Sequence, residues 1–261
     1  MITSTHNPRI QWVRKLQDQP GVRRESGAFV VEGVRLVEEA LQAGWTPQAV
    51  FYTEDLHPRG QALLAHCLQA GVALDLVSPQ VMKSTSDTQA PQGLLTVMPL
   101  ALLPLPAQPD FLLVLDNLRD PGNLGTILRT AAAAGVQGVL LTPGSTDPYG
   151  PKVVRAAMGA HFRLPVQSLD WEALRIFLRA RQEHSLRAYL ADVNQGISYT
   201  HADFRRPLAL IIGSEAEGAG DAASSLADER VHIPMPGGSE SLNAAVAAAV
   251  LMFEVNRQRS S

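Results

Sequence analysis

Three stretches of this sequence set amide, hydroxyl, carboxylate and guanidinium side chains beside glycine-rich turns: DNLRDPGNLGTILRTAAAAG from Asp116 to Gly135, IIGSEAEGAG from Ile211 to Gly220, and VHIPMPGGSESLNAAVAAAV from Val231 to Val250. In the third, Ser239, Glu240, Ser241 and Asn243 stand where a paired-glycine loop meets an Ala-rich run, and nothing between Leu242 and Gln258 breaks a helix. Unpaired N–H groups and the helix dipole favour electron-rich ligand atoms at such a terminus. A serine cap on a core helix is the plain alternative. In the first stretch, Asn123 is placed to cap a helix over Leu124–Ala134, and Arg129 sits within it among Thr130 and four alanines. The ordinary reading of Arg129 is a surface cation paired with an acid. In the second, Gly218, Gly220 and Ala223 fit a loose dinucleotide pattern, but Glu215, Glu217 and Asp221 would repel a pyrophosphate. A ligand with little negative charge suits these loops better.

The elements that must carry the loops follow from the apolar runs. Strands are expected at Phe111–Leu115, Gly138–Leu141, Arg187–Ala191, Leu208–Ile212 and Val231–Pro234. Helices are expected after the first of these, at Pro151–Gly159, at about Trp171–Glu183 and near the end of the sequence. Strands alternating with helices predict a parallel sheet that binds ligands at its carboxyl edge. Upstream, a turn at Asn7-Pro8 starts a helix over Arg9–Leu16, and Pro20–Gly27 reads as a loop. Strands at Ala28–Val31, Ala49–Tyr52, Ala73–Val77 and Leu94–Val97 then alternate with helices at Val34–Ala43, Gln61–Gln69 and Pro79–Ser84, the last capped by Ser78. This is a second, smaller α/β unit. Residues 99–109, PLALLPLPAQP, hold four prolines and read as a stiff linker. The expected division is therefore residues 1–98, a linker at 99–109, and a domain over 110–261.

The 261 residues carry a net charge of −3, which does not announce a nucleic-acid binder, yet residues 1–35 hold six basic against three acidic side chains. Arg9, Arg14, Arg23, Arg24 and Arg35 are therefore candidate phosphate contacts, with a solvated basic face as the plain alternative. Trp12 and Phe29 read as core residues, and His6, His57 and His66 as surface or satisfied histidines. A single cysteine, Cys67, excludes an internal disulfide and a Cys-rich metal site. The first residues have no apolar signal core, and no apolar run suits a bilayer span, so a cytoplasmic protein without membrane attachment is expected.

The three loops, in this order, resemble the SpoU (TrmH) family of RNA ribose 2′-O-methyltransferases, within the SPOUT superfamily. NPRIQWVRKL and GAFVVEGVRLVEEAL look like the RNA substrate-binding domain, of ribosomal-protein L30e type, that precedes many members. The resemblance implies a parallel sheet with a deep trefoil knot and S-adenosylmethionine as the cofactor, with no metal needed. It also implies a homodimer formed through the C-terminal domain, with the active site near the subunit interface. By motif position, Gly213, Ile233 and Leu242 would contact the cofactor, with Thr142 and Gly144 as further candidates. Asn123, Arg129, Glu215, Ser241 and Asn243 match positions linked to catalysis. Arg129 would orient the ribose–phosphate and stabilise a developing alkoxide, because a guanidinium stays protonated and makes a poor base. Asn123 and Asn243 would position the ribose, Ser241 would take a proton or hold phosphate, and Glu215 would orient Arg129 or Asn123 or only brace the fold. Ala245 stands where relatives often carry serine, a difference in packing. Ribosomal RNA is the expected substrate. The alternatives are transfer RNA, a non-catalytic RNA-binding or assembly protein that keeps the fold, and a nicotinamide-dependent dehydrogenase.

Overall fold

Apolar runs flanked by turn residues build two sheets, in a computed structural model that describes residues 1–182, 186–214 and 218–260. The chain divides into two units, one of residues 1–101 with 147–162, the other of residues 102–146 with 163–261. A single cut at the proline-rich stretch therefore does not describe the packing, because residues 147–162 belong with the first unit.

The first unit contains α1 (Pro8–Asp18), α2 (Pro20–Ser26), β1 (Ala28–Glu32), α3 (Val34–Gln42), β2 (Ala49–Tyr52), α4 (Pro58–Gln69), β3 (Leu74–Leu76), α5 (Pro79–Thr85) and β4 (Leu94–Pro99). Strand order is β1-β4-β2-β3, with β4 antiparallel to both neighbours and β3 parallel to β2. Asn7 and Ser78 cap α1 and α5 as their spacing predicts. The expected loop at 20–27 is instead helix α2. Pro20 occupies its first position and Gly27 its left-handed end, so residues that look like loop punctuation are helix termini.

Arg23, on α2, corrects a second expectation. It is 3% exposed, and its guanidinium bonds the Leu16 and Gln17 carbonyls and pairs with Asp147 at 2.7 Å. It therefore has no face to offer a phosphate. Asp147 belongs to the later segment, which also carries α7 (Pro151–Ala157). Phe29 and Trp45 are enclosed by this segment: Tyr149 lies 5.1 Å from Phe29, Phe162 lies 5.4 Å from Trp45, and the Trp45 indole donates to the Phe162 carbonyl at 3.1 Å.

The second unit contains β5 (Phe111–Leu115), α6 (Pro121–Ala133), β6 (Gly138–Leu141), β7 (Val166–Ser168), α8 (Trp171–Gln182), β8 (Arg187–Asp192), β9 (Ile197–Ser198), β10 (Leu208–Ile212), α9 (Asp221–Ser224), β11 (Glu229–His232) and α10 (Ala244–Arg259). Its seven strands are all parallel, in the order β7-β6-β5-β10-β8-β11-β9. The predicted parallel sheet is thus present. Continuous burial along β5 and β10 marks them as its centre, covered on both faces. Their register pairs Leu115 with Ile212, which sets Asp116 and Gly213 side by side beyond the strand ends.

Helix ends differ from expectation by small steps with clear causes. Asp120, not Asn123, caps α6, because the helix begins at Pro121 and the Asp120 carboxylate reaches the Asn123 N–H at 2.7 Å. Asn243, rather than a serine, caps α10, accepting from the Ala245 and Val246 N–H groups. β11 lies two residues earlier than expected, since Pro234 cannot donate to a ladder.

Two outcomes follow from the first unit. Arg23→Ala strands Asp147 and two carbonyls, so denaturant unfolding should show a loss of about 3 kcal/mol, while Arg24→Ala, at an exposed site, leaves stability unchanged. His161 is buried, and Nε2 contacts the Pro148 carbonyl at 2.7 Å. Burial pushes its pKa down from 6.5 to about 4, only partly opposed by that carbonyl and by Asp147. The unfolded chain takes up this proton below pH 6.5 and the folded chain only near 4. Stability is therefore complete above the upper value and falls through that window, by up to about 3 kcal/mol. His161→Phe should flatten this part of the pH–stability curve, and an unchanged slope in the variant would refute the assignment.

Candidate functional site

Four loops leave the carboxyl ends of β5, β6, β10 and β11. Asp116 ends β5 and is 3% exposed. One carboxylate oxygen accepts from the Thr142 hydroxyl at 2.9 Å and the other from the Gly220 N–H at 2.9 Å, while the Thr142 oxygen accepts from the Asn117 N–H at 2.9 Å. A single buried acid thus ties together the loops after β5, β6 and β10. Gly144 lies in this network for a steric reason. Its φ is +88°, and a Cβ there would stand 2.5 Å from the Asn117 amide oxygen.

Gly213 turns the chain out of β10 where the loop returns against it. A Cβ at this position would meet the Ala219 nitrogen at 2.3 Å, so glycine is obligatory. Ser214 and Gly218 are joined by two backbone hydrogen bonds. Glu215, the acidic candidate between them, lies outside the described residues.

Beside this turn is a cavity of about 770 Å³ in the second unit. Leu190, Ile212, Val231 and Leu251 give it an apolar floor, and Gly213, Ile233, Ser241 and Leu242 form part of its wall. Asp192 also lines it. Burial acts to raise the Asp192 pKa, but the Asn194 and Gln195 N–H groups and Arg230 outweigh it and hold the carboxyl below its usual range. Arg230 lines the same cavity and pairs with Asp192 at 2.9 Å, so Glu240 at the rim leaves a small negative excess, which suits a ligand that is cationic or neutral. Such a volume matches a compact small-molecule site.

Asn243 does two jobs at the start of α10. Its amide oxygen caps the helix, and its nitrogen donates to the Asn123 side-chain oxygen at 3.0 Å. That bond ties the first turn of α6 to the first turn of α10, and the two helices pack together.

The structure therefore brings together Asn123 and Asn243, and it places Gly213, Ile233, Ser241 and Leu242 on one cavity. Thr142 and Gly144 do not line that cavity. They belong to the network beneath the loops. Arg129 does not line it either: it is exposed, makes no hydrogen bond or ion pair among the described residues, and lies roughly 120° around α6 from Asn123. Of the basic candidates, Arg24 and Arg35 are exposed, Arg9 pairs with Asp75 at 2.9 Å, and Arg14 bonds the Ser84 carbonyl at 3.0 Å. Sequence reasoning missed Asp116 as the brace and Asp192 as a cavity acid. The signal for Asp116 was present, an acid ending a wholly apolar strand, but its acceptor role depends on strand order.

A parallel sheet whose carboxyl edge encloses an acid-bearing, glycine-turned cavity defines an α/β domain with room for a compact ligand of little negative charge. Comparison with known proteins makes the class specific. Residues 110–253 match the SpoU rRNA methylase family and residues 7–96 an MRM3-like substrate-binding domain. The chain belongs to the SpoU rRNA methylase family. A tRNA/rRNA methyltransferase of uncharacterised role from Synechocystis is 35% identical, over 99% of this chain and 94% of that protein. The 23S rRNA (guanosine(2553)-2′-O)-methyltransferase of Bacillus subtilis is 31% identical, over 97% of this chain and 98% of that protein. The crystal structure of the SpoU methyltransferase AviRb from Streptomyces viridochromogenes, in complex with AdoMet, superposes with a TM-score of 0.91 at 29% identity, covering 98% of this chain and 99% of that one.

The brace gives a test. Asp116→Ala leaves the Thr142 hydroxyl and the Gly220 N–H without their acceptor, a loss of about 2 kcal/mol in stability. It should also weaken ligand binding in the cavity by about tenfold, because the Gly213–Gly220 turn loses its anchor. Wild-type affinity by calorimetry would show that the brace does not shape the cavity.

Proposed function

We propose that this protein transfers the methyl group of S-adenosylmethionine to a ribose 2′-hydroxyl in ribosomal RNA. The observation that carries the reading is the cavity bounded by Gly213, Ile233, Ser241 and Leu242, beside the Asn123–Asn243 bond, in a chain that matches the family over both of its units. Its floor suits an adenosine, and its lining acids Asp192 and Glu240, against the single cation Arg230, suit a ligand bearing sulfonium and ammonium charge. S-adenosylmethionine supplies an activated methyl group when bound. The chain's own residues supply the rest. Gly213, Ile233 and Leu242 hold the cofactor, Asn123 and Asn243 orient the ribose, and Ser241 receives or relays the hydroxyl proton. Arg129 provides a fixed positive charge for the developing alkoxide. Glu215 orients Arg129 or Asn123, or only braces the fold.

The reading extends to features of the family. The inserted position of β10 between β5 and β8 supports a trefoil knot in the second unit. A four-stranded mixed sheet flanked by helices supports an L30e-like substrate-binding domain built on residues 1–98, and the family match supports a methyltransferase domain over 110–261, of which residues 147–162 pack with the first unit. A homodimer is supported by α10, whose Val246 and Phe253 are about half exposed and lie two turns apart on one face. Packing a second copy there makes Arg129, which reaches nothing in its own cavity, available to the cleft of that copy. No helix among the described residues is long and apolar enough to cross a membrane. The reading assigns the enzyme to the cytoplasm with its RNA.

The test is transfer of labelled methyl from S-adenosylmethionine to ribosomal RNA, analysed for alkali-resistant dinucleotides. Wild-type protein should produce label, Arg129→Ala should reduce turnover by at least about 100-fold with cofactor affinity retained, and Phe253→Arg should yield monomers with low activity. Cofactor binding without any labelled 2′-O-methyl product would favour the non-catalytic alternative.

A further inference from the structure

The first unit has a cavity of its own, of about 650 Å³, which the catalytic reading does not use. It opens beside the start of α3 and is bordered by the loops after β2 and before β4. Its walls mix apolar and polar groups. Val34, Pro79, Met82 and Pro91 provide flat apolar surface, and Thr53 and Asp55 provide polar atoms. Thr53 is 4% exposed overall, but its hydroxyl is not itself buried: it lines the cavity, open to solvent there, and makes no hydrogen bond among the described residues. A hydroxyl that opens into a cavity without a protein partner is available to a ligand as donor or acceptor. Gly93 makes room for it: a Cβ there would stand 2.3 Å from the Thr53 oxygen.

The rim carries positive charge. Arg59 is committed to Glu38, in a bidentate pair. Arg35 and Lys83 are exposed and make no ion pair within 4 Å among the described residues; Arg35 also acts on Glu38, which Arg59 already holds. The geometry is fixed from beneath, since the Gln92 side-chain oxygen accepts from the Val34 N–H at 3.0 Å and ties the start of α3 to the loop before β4.

We propose that this cavity receives one unpaired nucleotide of the RNA, its base against the apolar wall and the Thr53 hydroxyl, and its phosphates at Arg35 and Lys83. The proposal rests on the RNA reading above and deepens it. A hydroxyl can donate or accept, so it meets any base edge, while Asp55 accepts from base N–H groups. Unstacked bases in single-stranded loops are what proteins take into such pockets, and cations on the rim hold the backbone. An acidic peptide would also answer to Arg35 and Lys83, but it would leave the apolar wall and the Thr53 hydroxyl unused.

The test uses the full chain and a short single-stranded RNA of mixed sequence containing 4-thiouridine. The double variant Arg35→Glu, Lys83→Glu changes only exposed side chains. It should weaken binding by about tenfold or more and lower the salt dependence of log Kd by about two, one for each lost phosphate contact. Thr53→Val should weaken binding several-fold with the salt dependence unchanged, and Thr53→Ser should restore it. Photo-crosslinks should map to peptides around residues 33–35, 53–57 or 79–93. If wild-type protein methylates ribosomal RNA while both variants bind as wild type, or if crosslinks fall only elsewhere, the nucleotide pocket is wrong and the catalytic reading stands. If an acidic peptide displaces the RNA only through Arg35 and Lys83, with Thr53→Val silent, the pocket proposal also fails. If wild-type protein neither binds nor methylates RNA, the reading beneath it falls first.

Discussion

The second unit depends on a carboxylate that does not line its main cavity. Asp116 stands at the end of the central strand β5, buried, with each oxygen taken by a different loop. Loops at the edge of a parallel sheet carry backbone N–H groups that the ladder no longer satisfies, and they need acceptors at fixed positions. An ionised acid accepts at both oxygens and makes stronger bonds than a neutral group. Those two bonds hold the loops after β6 and β10 against the loop after β5, where close packing in turn requires glycine at 144 and 213. The Asn123–Asn243 bond then does for the helices what Asp116 does for the loops, holding two N-terminal turns in register at the same edge.

Much of the fold was legible because burial writes itself into composition. β5 and β10 are apolar without interruption, which only a strand covered on both faces tolerates, and the parallel sheet followed from their alternation with helices. Helix ends were less legible. DPGN offers two capping residues three positions apart, and the choice of Asp120 over Asn123 depends on where proline starts the helix. Arg23 was misread because a basic residue in a polar, proline-bounded segment looks solvated, whereas its partner lies 124 positions away. The candidate site divides in the same way. Gly213, Ile233, Ser241 and Leu242 could be named from motif order, but Asp192 enters the cavity only through the neighbouring of β8, β10 and β11.

The two halves of the chemistry call for different kinds of surface. In the second unit, acids and glycine turns line the cavity proposed for a small ligand. In the first, free cations stand around a pocket whose hydroxyl lacks a partner. An enzyme that must select one ribose among thousands cannot draw that choice from a catalytic cleft that touches a sugar common to every nucleotide. A separate unit, with the pocket proposed above, would supply contacts that the reaction itself does not.

Residues 147–162 complete the first unit although β5, α6 and β6 precede them in the chain. Synthesis runs from the N-terminus, so Phe29, Trp45 and Arg23 leave the ribosome long before Tyr149, Phe162 and Asp147 exist. The nascent first unit must wait with an open aromatic face and an unneutralised buried cation while the opening strands of the second emerge. The order of manufacture and the order of folding thus cross over in this chain. A stall or truncation between residues 101 and 147 would leave not one finished domain and one missing domain, but two unfinished ones.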